Sequence, residues 1–100
     1  MEKGTVAIVN LQNPREKVIG IIHEVLPAGI VIRGIDVNSF QDWAGQLAKD
    51  DSAHVICPTT MFFPMHRVIR CYEDEDMGDV PSFSTQFANR TGKPIRDLLQ

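Results

Sequence analysis

Residues 17–37 of the chain read KVIGIIHEVLPAGIVIRGIDV, two β-branched apolar runs separated by a Pro-Ala-Gly turn. Residues 17–26 and 30–37 therefore have the composition of two neighbouring strands. Each run holds one central glycine, Gly20 or Gly34, and a glycine inside a strand marks a bulge or a sharp bend. Two adjoining bent strands predict a strongly coiled sheet of the kind that forms a small barrel.

Three more segments have strand character. Residues 5–11 (TVAIVNL) are apolar on both faces, residues 54–63 (HVICPTTMFF) are interrupted by a proline, and residues 68–72 (VIRCY) form a short run. Residues 64–67 (PMHR), between the last two segments, are predicted to form a short turn. The sequence thus predicts a mainly β fold, a small, five-stranded, strongly bent antiparallel barrel of the SH3 type.

The pattern changes to a helical period after the third strand. Apolar residues then recur on one helical face over roughly residues 40–50, namely Phe40, Trp43, Ala44, Leu47 and Ala48. Ser39 and Asp42 have the spacing of a capping box at the start of this helix. A C-terminal helix is expected from Pro81-Ser82 to Gly92, and one further helical turn in residues 94–100. We expect the first helix to cover an open end of the barrel.

The composition is that of one globular domain over residues 1–100. Apolar residues make up 43% and charged residues 23% of the chain, and the net charge is −3 with histidine neutral. Proteins that bind nucleic acid nonspecifically usually carry a basic excess, which this chain lacks. No apolar run approaches the roughly 18–20 residues of a membrane span, and the start has no signal-peptide pattern. We therefore expect a cytoplasmic protein with no membrane partner.

The strand pattern resembles the Sm-like family, to which Hfq belongs, over roughly residues 4–73. The resemblance lies in Gly4-Thr5-Val6, in Gly20 and in residues 62–69, FFPMHRVI. That last stretch is similar to the strand, short turn and strand that end an Sm-like barrel. The chain departs from the family in lacking its ligand-binding Lys-His pair. The resemblance implies an SH3-type barrel that forms a homo-oligomer and binds RNA.

Three side chains are the candidate ligand-binding residues: Arg33, His66 and Arg67. His66 and Arg67 lie in a turn between two apolar strands, which can present both side chains on a barrel rim. Arginine offers a planar fork for phosphate or carboxylate, and histidine can stack or donate a hydrogen bond. The alternative is structural: Arg67 pairs with a nearby acid and His66 caps the turn.

The candidate oligomer interface is an uncharged apolar stretch, Met61, Phe62 and Phe63. Strand alternation buries only half of such a stretch, so the outward-facing side chains need a neighbour. An open barrel also leaves two strand edges with unpaired backbone groups, and we expect copies to pair through the edges of strands four and five. The alternative cover is the C-terminal helix, through Phe83 and Phe87.

The histidines and cysteines do not have metal-site spacing: His23, His54, His66, Cys57 and Cys71. No two of them form the C-x₂-C or H-x₃-H pairs that make a metal prediction specific. The acidic segment 73–79 lacks the ligand positions of a calcium loop and is predicted to be a solvated surface loop. No spacing typical of a catalytic constellation is present, so we expect no cofactor, no bound metal and no enzymatic activity.

Two functions from different classes fit these observations. The first is a noncatalytic, oligomeric, Sm-like barrel that binds RNA. The second is a protein-interaction or structural module of the same fold with no nucleic-acid role. The net negative charge favours the second function, whereas the family resemblance and the pair His66-Arg67 favour the first.

Overall fold

A computed structural model describes residues 1–49 and 56–100, which form five strands and three α-helices. The elements in chain order are β1 (Val6–Leu11), β2 (Glu16–Leu26), β3 (Gly29–Asp36), α1 (Phe40–Ala48), β4 (Thr59–Pro64), β5 (Val68–Glu73), α2 (Phe83–Thr91) and α3 (Ile95–Leu99). A 3₁₀ turn, Val37–Ser39, precedes α1. A second one, Met65–Arg67, joins β4 to β5 and is called the corner turn below.

All five strands form one antiparallel sheet in the order β4-β3-β2-β1-β5. The mainly β class, the five antiparallel strands and the helices after β3 and after β5 are therefore confirmed. The predicted barrel is not closed: within the described residues β4 pairs with β3 and β5 pairs with β1, but no ladder joins β4 to β5. These two strands are the edges of the sheet.

The corner turn forces the sheet to curl. The turn links Pro64 to Val68. Pro64 pairs with Gly29, which lies opposite the last residue of β2, and Val68 pairs with Leu11, which lies opposite the first residue of β2. A straight β2 would separate these two positions by about 33 Å, because a strand rises about 3.3 Å per residue. The four residue steps from Pro64 to Val68 span at most about 14 Å. Only a strongly bent sheet can satisfy both distances.

The bend passes through a glycine pair. Gly20 and Gly34 are directly opposite each other on β2 and β3. A Cβ atom on Gly34 would overlap the carbonyl oxygen of Ile19, and one on Gly20 would overlap the carbonyl group of Arg33. Glycine is needed here because the two backbones approach too closely for any side chain. A register shift between Ile22 and Glu24 adds to the distortion.

The curled sheet is buried on both faces. The concave face holds one core cluster: Ala7, Val9, Leu11, Val18, Ile22, Ile30, Ile32 and Phe63. The three helices cover the other face, where strand residues pack with helix residues in a second cluster: Val6, Ile8, Ile19, Ile21, Ile35, Phe40, Trp43, Ala44, Phe87, Ile95 and Leu99. This arrangement explains why β1 is apolar at nearly every position rather than at alternate ones.

The helices are packed by aromatic contacts. The Phe40 ring lies 4.8 Å from that of Phe83, and the Trp43 ring lies 4.9 Å from that of Phe87, between ring centroids. Gly92 ends α2 with a left-handed conformation (φ 73°), as its position after the apolar pattern predicts. The predicted capping box of α1 is not formed, because the Ser39 side chain makes no capping hydrogen bond.

Several element boundaries differ from the prediction, most of them by one residue, and two of the differences concern the end of β3 and the start of β4. Val37 belongs to the 3₁₀ turn and not to the third strand, because Asp36 Oδ1 accepts a hydrogen bond from the Asn38 backbone N–H at 2.7 Å and turns the chain. The predicted strand 54–63 begins only at Thr59 among the described residues. Residues 50–55, with the predicted end of the first helix and His54, lie outside the described part of the chain.

Candidate functional site

Arg67 fastens the corner turn to the turn between β1 and β2. Its Nε atom donates to the Gln12 carbonyl at 3.0 Å, and Nη2 donates to the Pro14 carbonyl at 2.8 Å and to Glu16 Oε2 at 2.7 Å. The guanidinium also lies 5.7 Å from the centroid of the Phe63 ring. Within the described residues, Arg67 and Glu16 form the one ion pair.

The neighbouring His66 takes part through its backbone. Its carbonyl accepts a hydrogen bond from Gln12 Nε2 at 2.9 Å, while the residue is exposed. Of the two interpretations of Arg67, the geometry agrees with the structural one, in which Arg67 pairs with an acid. Nε and Nη2 are already engaged, which leaves Nη1 as the nitrogen that can donate to a phosphate.

Arg33 lies elsewhere in the sheet. Its Nη1 atom donates to Thr60 Oγ1 at 3.2 Å across the β3–β4 pair. Arg33 and Arg67 have no contact residue in common, so the described contacts do not bring the predicted ligand-binding residues into one site.

The predicted interface stretch divides between the two faces of β4. Phe63 is 8% exposed and belongs to the concave core, and Met61 packs against the same cluster. Phe62 is 50% exposed and lies opposite Val31 on the other face, next to Gly29. Phe83 and Phe87, the alternative cover, contact Phe40 and Trp43 instead. Phe62 is therefore a half-exposed aromatic side chain on the edge strand.

Both edge strands have an unpaired side. In the parts of the chain that the structure describes, no strand pairs with the outer edge of β4 or with that of β5. β4 carries no charged residue, and Ile69 on β5 is 55% exposed. Charged residues and proline usually protect an exposed edge from pairing with another chain. Here proline occurs only at the two ends of β4: Pro58 precedes it and Pro64 is its last residue.

The histidines and cysteines do not assemble into a metal centre within the described residues, where no group of three or more His, Cys, Asp or Glu side chains has suitable geometry. Cys71 is a free thiol. Burial raises the pKa of the Cys71 thiol, which lies on β5 opposite Val9. A thiol with a raised pKa is a poor nucleophile at neutral pH.

A cleft that the sequence did not reveal lies between β5 and the start of α2. Its volume is about 470 Å³. We call it the β5 cleft. Half of its lining residues are apolar or aromatic: Ile8, Tyr72, Met77, Val80, Pro81 and Phe83. The other half are polar or charged: Arg70, Glu73, Asp74, Glu75, Ser82 and Gln86. The sequence signal is the segment Met77-Gly78-Asp79-Val80, a turn dipeptide between two large apolar residues.

Two aspartates of the acidic segment bind the N-terminus of α2 and shape this cleft. Asp74 accepts from the backbone N–H groups of Phe83 and Ser84, at 2.9 and 2.8 Å. Asp76 Oδ1 accepts from the Ser82 backbone N–H at 2.7 Å and from the Thr85 hydroxyl at 2.9 Å. These hydrogen bonds hold the pKa of the Asp76 carboxyl below its ordinary value. The segment predicted as a solvated loop is thus partly a helix-capping structure.

No described helix has the length and apolar character needed to cross a membrane. Comparisons with protein-family models, with curated proteins and with solved structures find no match to this chain.

Proposed function

We propose that this protein is a noncatalytic binding module of the SH3/Sm-like type that assembles into a homo-oligomer through its two sheet edges. The observation that carries the proposal is the unpaired, uncharged edge of β4 beside the half-exposed Phe62. The corner turn between two terminal strands of a curled sheet also fits the family resemblance of residues 62–69.

The geometry suits pairing between copies. β4 of one copy can add to β5 of the next, which satisfies backbone N–H and C=O groups on both edges. Because the two edges are different surfaces, this contact is heterologous, and it closes into a ring if the rotation between copies permits. Phe62 on β4 and Ile69 on β5 then supply apolar area beside the new ladder.

The experiment measures the mass of the full chain by light scattering during gel filtration. We expect a mass several times 11.2 kDa at micromolar concentration. Phe62→Lys is expected to reduce it to the monomer mass without loss of fold, because the side chain is half exposed within one copy. A monomer mass for the unmodified chain would end the proposal.

Two further variants separate assembly from folding. Phe63→Lys should unfold the domain, because it buries a charge in the concave core without a partner. Val80→Lys is the matched control: Val80 is 62% exposed but lies outside the sheet, so the oligomer mass should not change. If Val80→Lys dissociates the oligomer as strongly as Phe62→Lys, the contact is not at the β4 edge.

RNA binding is the second candidate function, and it is supported by the family resemblance and by His66 and Arg67. We favour a protein ligand, because the net charge is −3 and the Arg67 guanidinium already bonds within the chain. The test is the binding of single-stranded RNA at low salt by the unmodified chain and by the Arg33→Ala/Arg67→Ala double variant. Binding that the double variant weakens, with a flatter salt dependence, would restore the RNA function.

A further inference from the structure

We propose that the β5 cleft binds a short peptide segment of a partner protein in which apolar side chains stand next to lysine or arginine. This inference goes beyond the proposed assembly and does not depend on it, because the cleft lies on the helix side of β5 and not on its free edge.

The first argument is an apolar wall that is exposed and rigid. Met77 and Val80 are 65% and 62% exposed. Their backbones exchange two hydrogen bonds of 2.9 Å, and the two-residue turn between them contains Gly78 with a positive φ of 57°. This tight turn places the two side chains together, so little backbone conformational entropy is lost when a ligand covers them.

The second argument is the floor of the cleft. Ile8 is almost fully buried there, and the rings of Tyr72 and Phe83 are half buried. The volume of about 470 Å³ lies in the range of ordinary ligand sites, roughly 300–1,000 Å³. An aromatic or aliphatic side chain of a peptide can therefore insert between this floor and the Met77–Val80 wall.

The third argument is charge, which selects the kind of partner. Residues 73–79 contain five acids, and within the described residues none of them forms an ion pair. Glu73, Glu75 and Asp79 are exposed, and Arg70, the cation that lines the same cleft, lies over the Tyr72 ring at 4.8 Å. The rim is thus complementary to lysine or arginine. It repels RNA phosphate, and it repels the same acidic rim on a second copy of this chain.

The fourth argument is the anchoring of the rim. Asp74 and Asp76 tie the segment to the first turn of α2 through the hydrogen bonds given above. The cleft is therefore already formed in the chain without a ligand. A preformed apolar cleft with a complementary rim is the usual character of a peptide-binding site.

The experiment selects from a phage library of short random peptides on the immobilised full chain and then measures the enriched peptides by fluorescence anisotropy. We expect the enriched peptides to combine large apolar residues with lysine or arginine. Met77→Ser/Val80→Ser should weaken their binding about tenfold or more, because apolar contact area is lost. Glu73→Gln/Glu75→Gln should weaken binding and reduce its salt dependence.

Val25→Ser is the control, because Val25 is 45% exposed on β2 and does not line the cleft. It should leave peptide binding unchanged. No enrichment over an empty surface, enrichment of acidic peptides, or equal binding by the Met77→Ser/Val80→Ser variant would each overturn the proposal. The oligomer mass of the same variants is measured in parallel, so a failure of peptide binding is distinguishable from a failure of assembly.

Discussion

Arg67 is the side chain on which the corner of the sheet most directly depends. It connects residues that are more than 50 positions apart, and its three acceptors all belong to the β1–β2 connection and the first residue of β2. The side chain is only 19% exposed, which shields its bonds from water. A lysine at this position would keep the charge but could not supply the planar fork that reaches the three acceptors together.

We predict that Arg67→Ala destabilises the fold by about 1–3 kcal/mol, because two carbonyl groups and a carboxylate lose their donor. Urea unfolding followed through the fluorescence of Trp43, the single tryptophan, measures the change. Arg33→Ala is the control and should cost well under 1 kcal/mol, since Arg33 makes one exposed hydrogen bond. Equal losses for the two variants would show that the Arg67 contacts contribute no special stability.

Some side-chain contacts could not be predicted from the sequence. An acid partner for Arg67 could be foreseen as one alternative, but Glu16 could not be identified as that partner. The pairing depends on the register of β1 with β5 and on the corner turn, and neither is local in sequence. The environment of Asn10 could not be predicted either. From the sequence it is a polar position in a strand, but its Oδ1 atom is buried and accepts no hydrogen bond from the described residues.

At the scale of elements, the N-terminus of α2 is stabilised by negative charge from the preceding segment. Asp74 and Asp76 accept from backbone N–H groups that have no partner within the helix, and Ser82 Oγ accepts from the Thr85 N–H at 3.0 Å. Carboxylates at this end also interact favourably with the helix dipole. The acids thus stabilise the helix and shape the β5 cleft at once.

We predict that Asp76 contributes to stability only in its ionised form. Because the pKa of Asp76 is lower in the fold than in the unfolded chain, its contribution is present above the ordinary value of about 3.9 and is lost as the pH falls through the lower folded value. NMR titration of the Asp76 carboxyl carbon should show a midpoint below that ordinary value.

The matching variant is Asp76→Asn. It should flatten the decline of stability with falling pH in this acidic window, and Asp97→Asn, in α3, is the control. A midpoint for Asp76 at or above about 3.9 would contradict the structural explanation.

The elements that could be predicted are those with local signals. β2 and β3 are recognisable from their β-branched runs, because the sheet is buried on both faces. α1 is recognisable from its apolar period, because one side of the helix is buried. The start of β4 could not be placed, since Pro58 and two threonines carry no period. The turn from Met77 to Val80 has a local signal, but the β5 cleft also depends on how α2 docks beside β5, which is a tertiary contact.

At the scale of the whole molecule, the sheet is the middle layer between a concave core and a helical layer. α3 is short, yet Ile95 and Leu99 are 3% and 0% exposed and join the same cluster as Ile19 and Ile21 of β2. Arg96 Nη1 also donates to the Gly4 carbonyl, which ties α3 to the residues before β1. The last helix is therefore an integral part of the fold.

We predict that Leu99→Ala destabilises the protein by about 2–4 kcal/mol, because it leaves a cavity under the helical layer. Leu98→Ala should cost distinctly less, since Leu98 is only partly buried against the same cluster. Thermal unfolding followed by circular dichroism compares the two. If both variants unfold at the temperature of the unmodified chain, α3 contributes nothing to the core.

The strand order has a consequence for the kinetics of folding. β1, β2 and β3 form two successive hairpins and can pair as soon as they exist, whereas β1 receives its second partner only when Glu73 reaches Ala7. Closing so long a loop makes this pairing intrinsically slow. Until this pairing forms, the three-stranded meander has an open β1 edge and apolar side chains on both faces, which favours association between chains. Rapid docking of α1 would shorten its exposure, because that helix covers one of the two faces before β5 arrives.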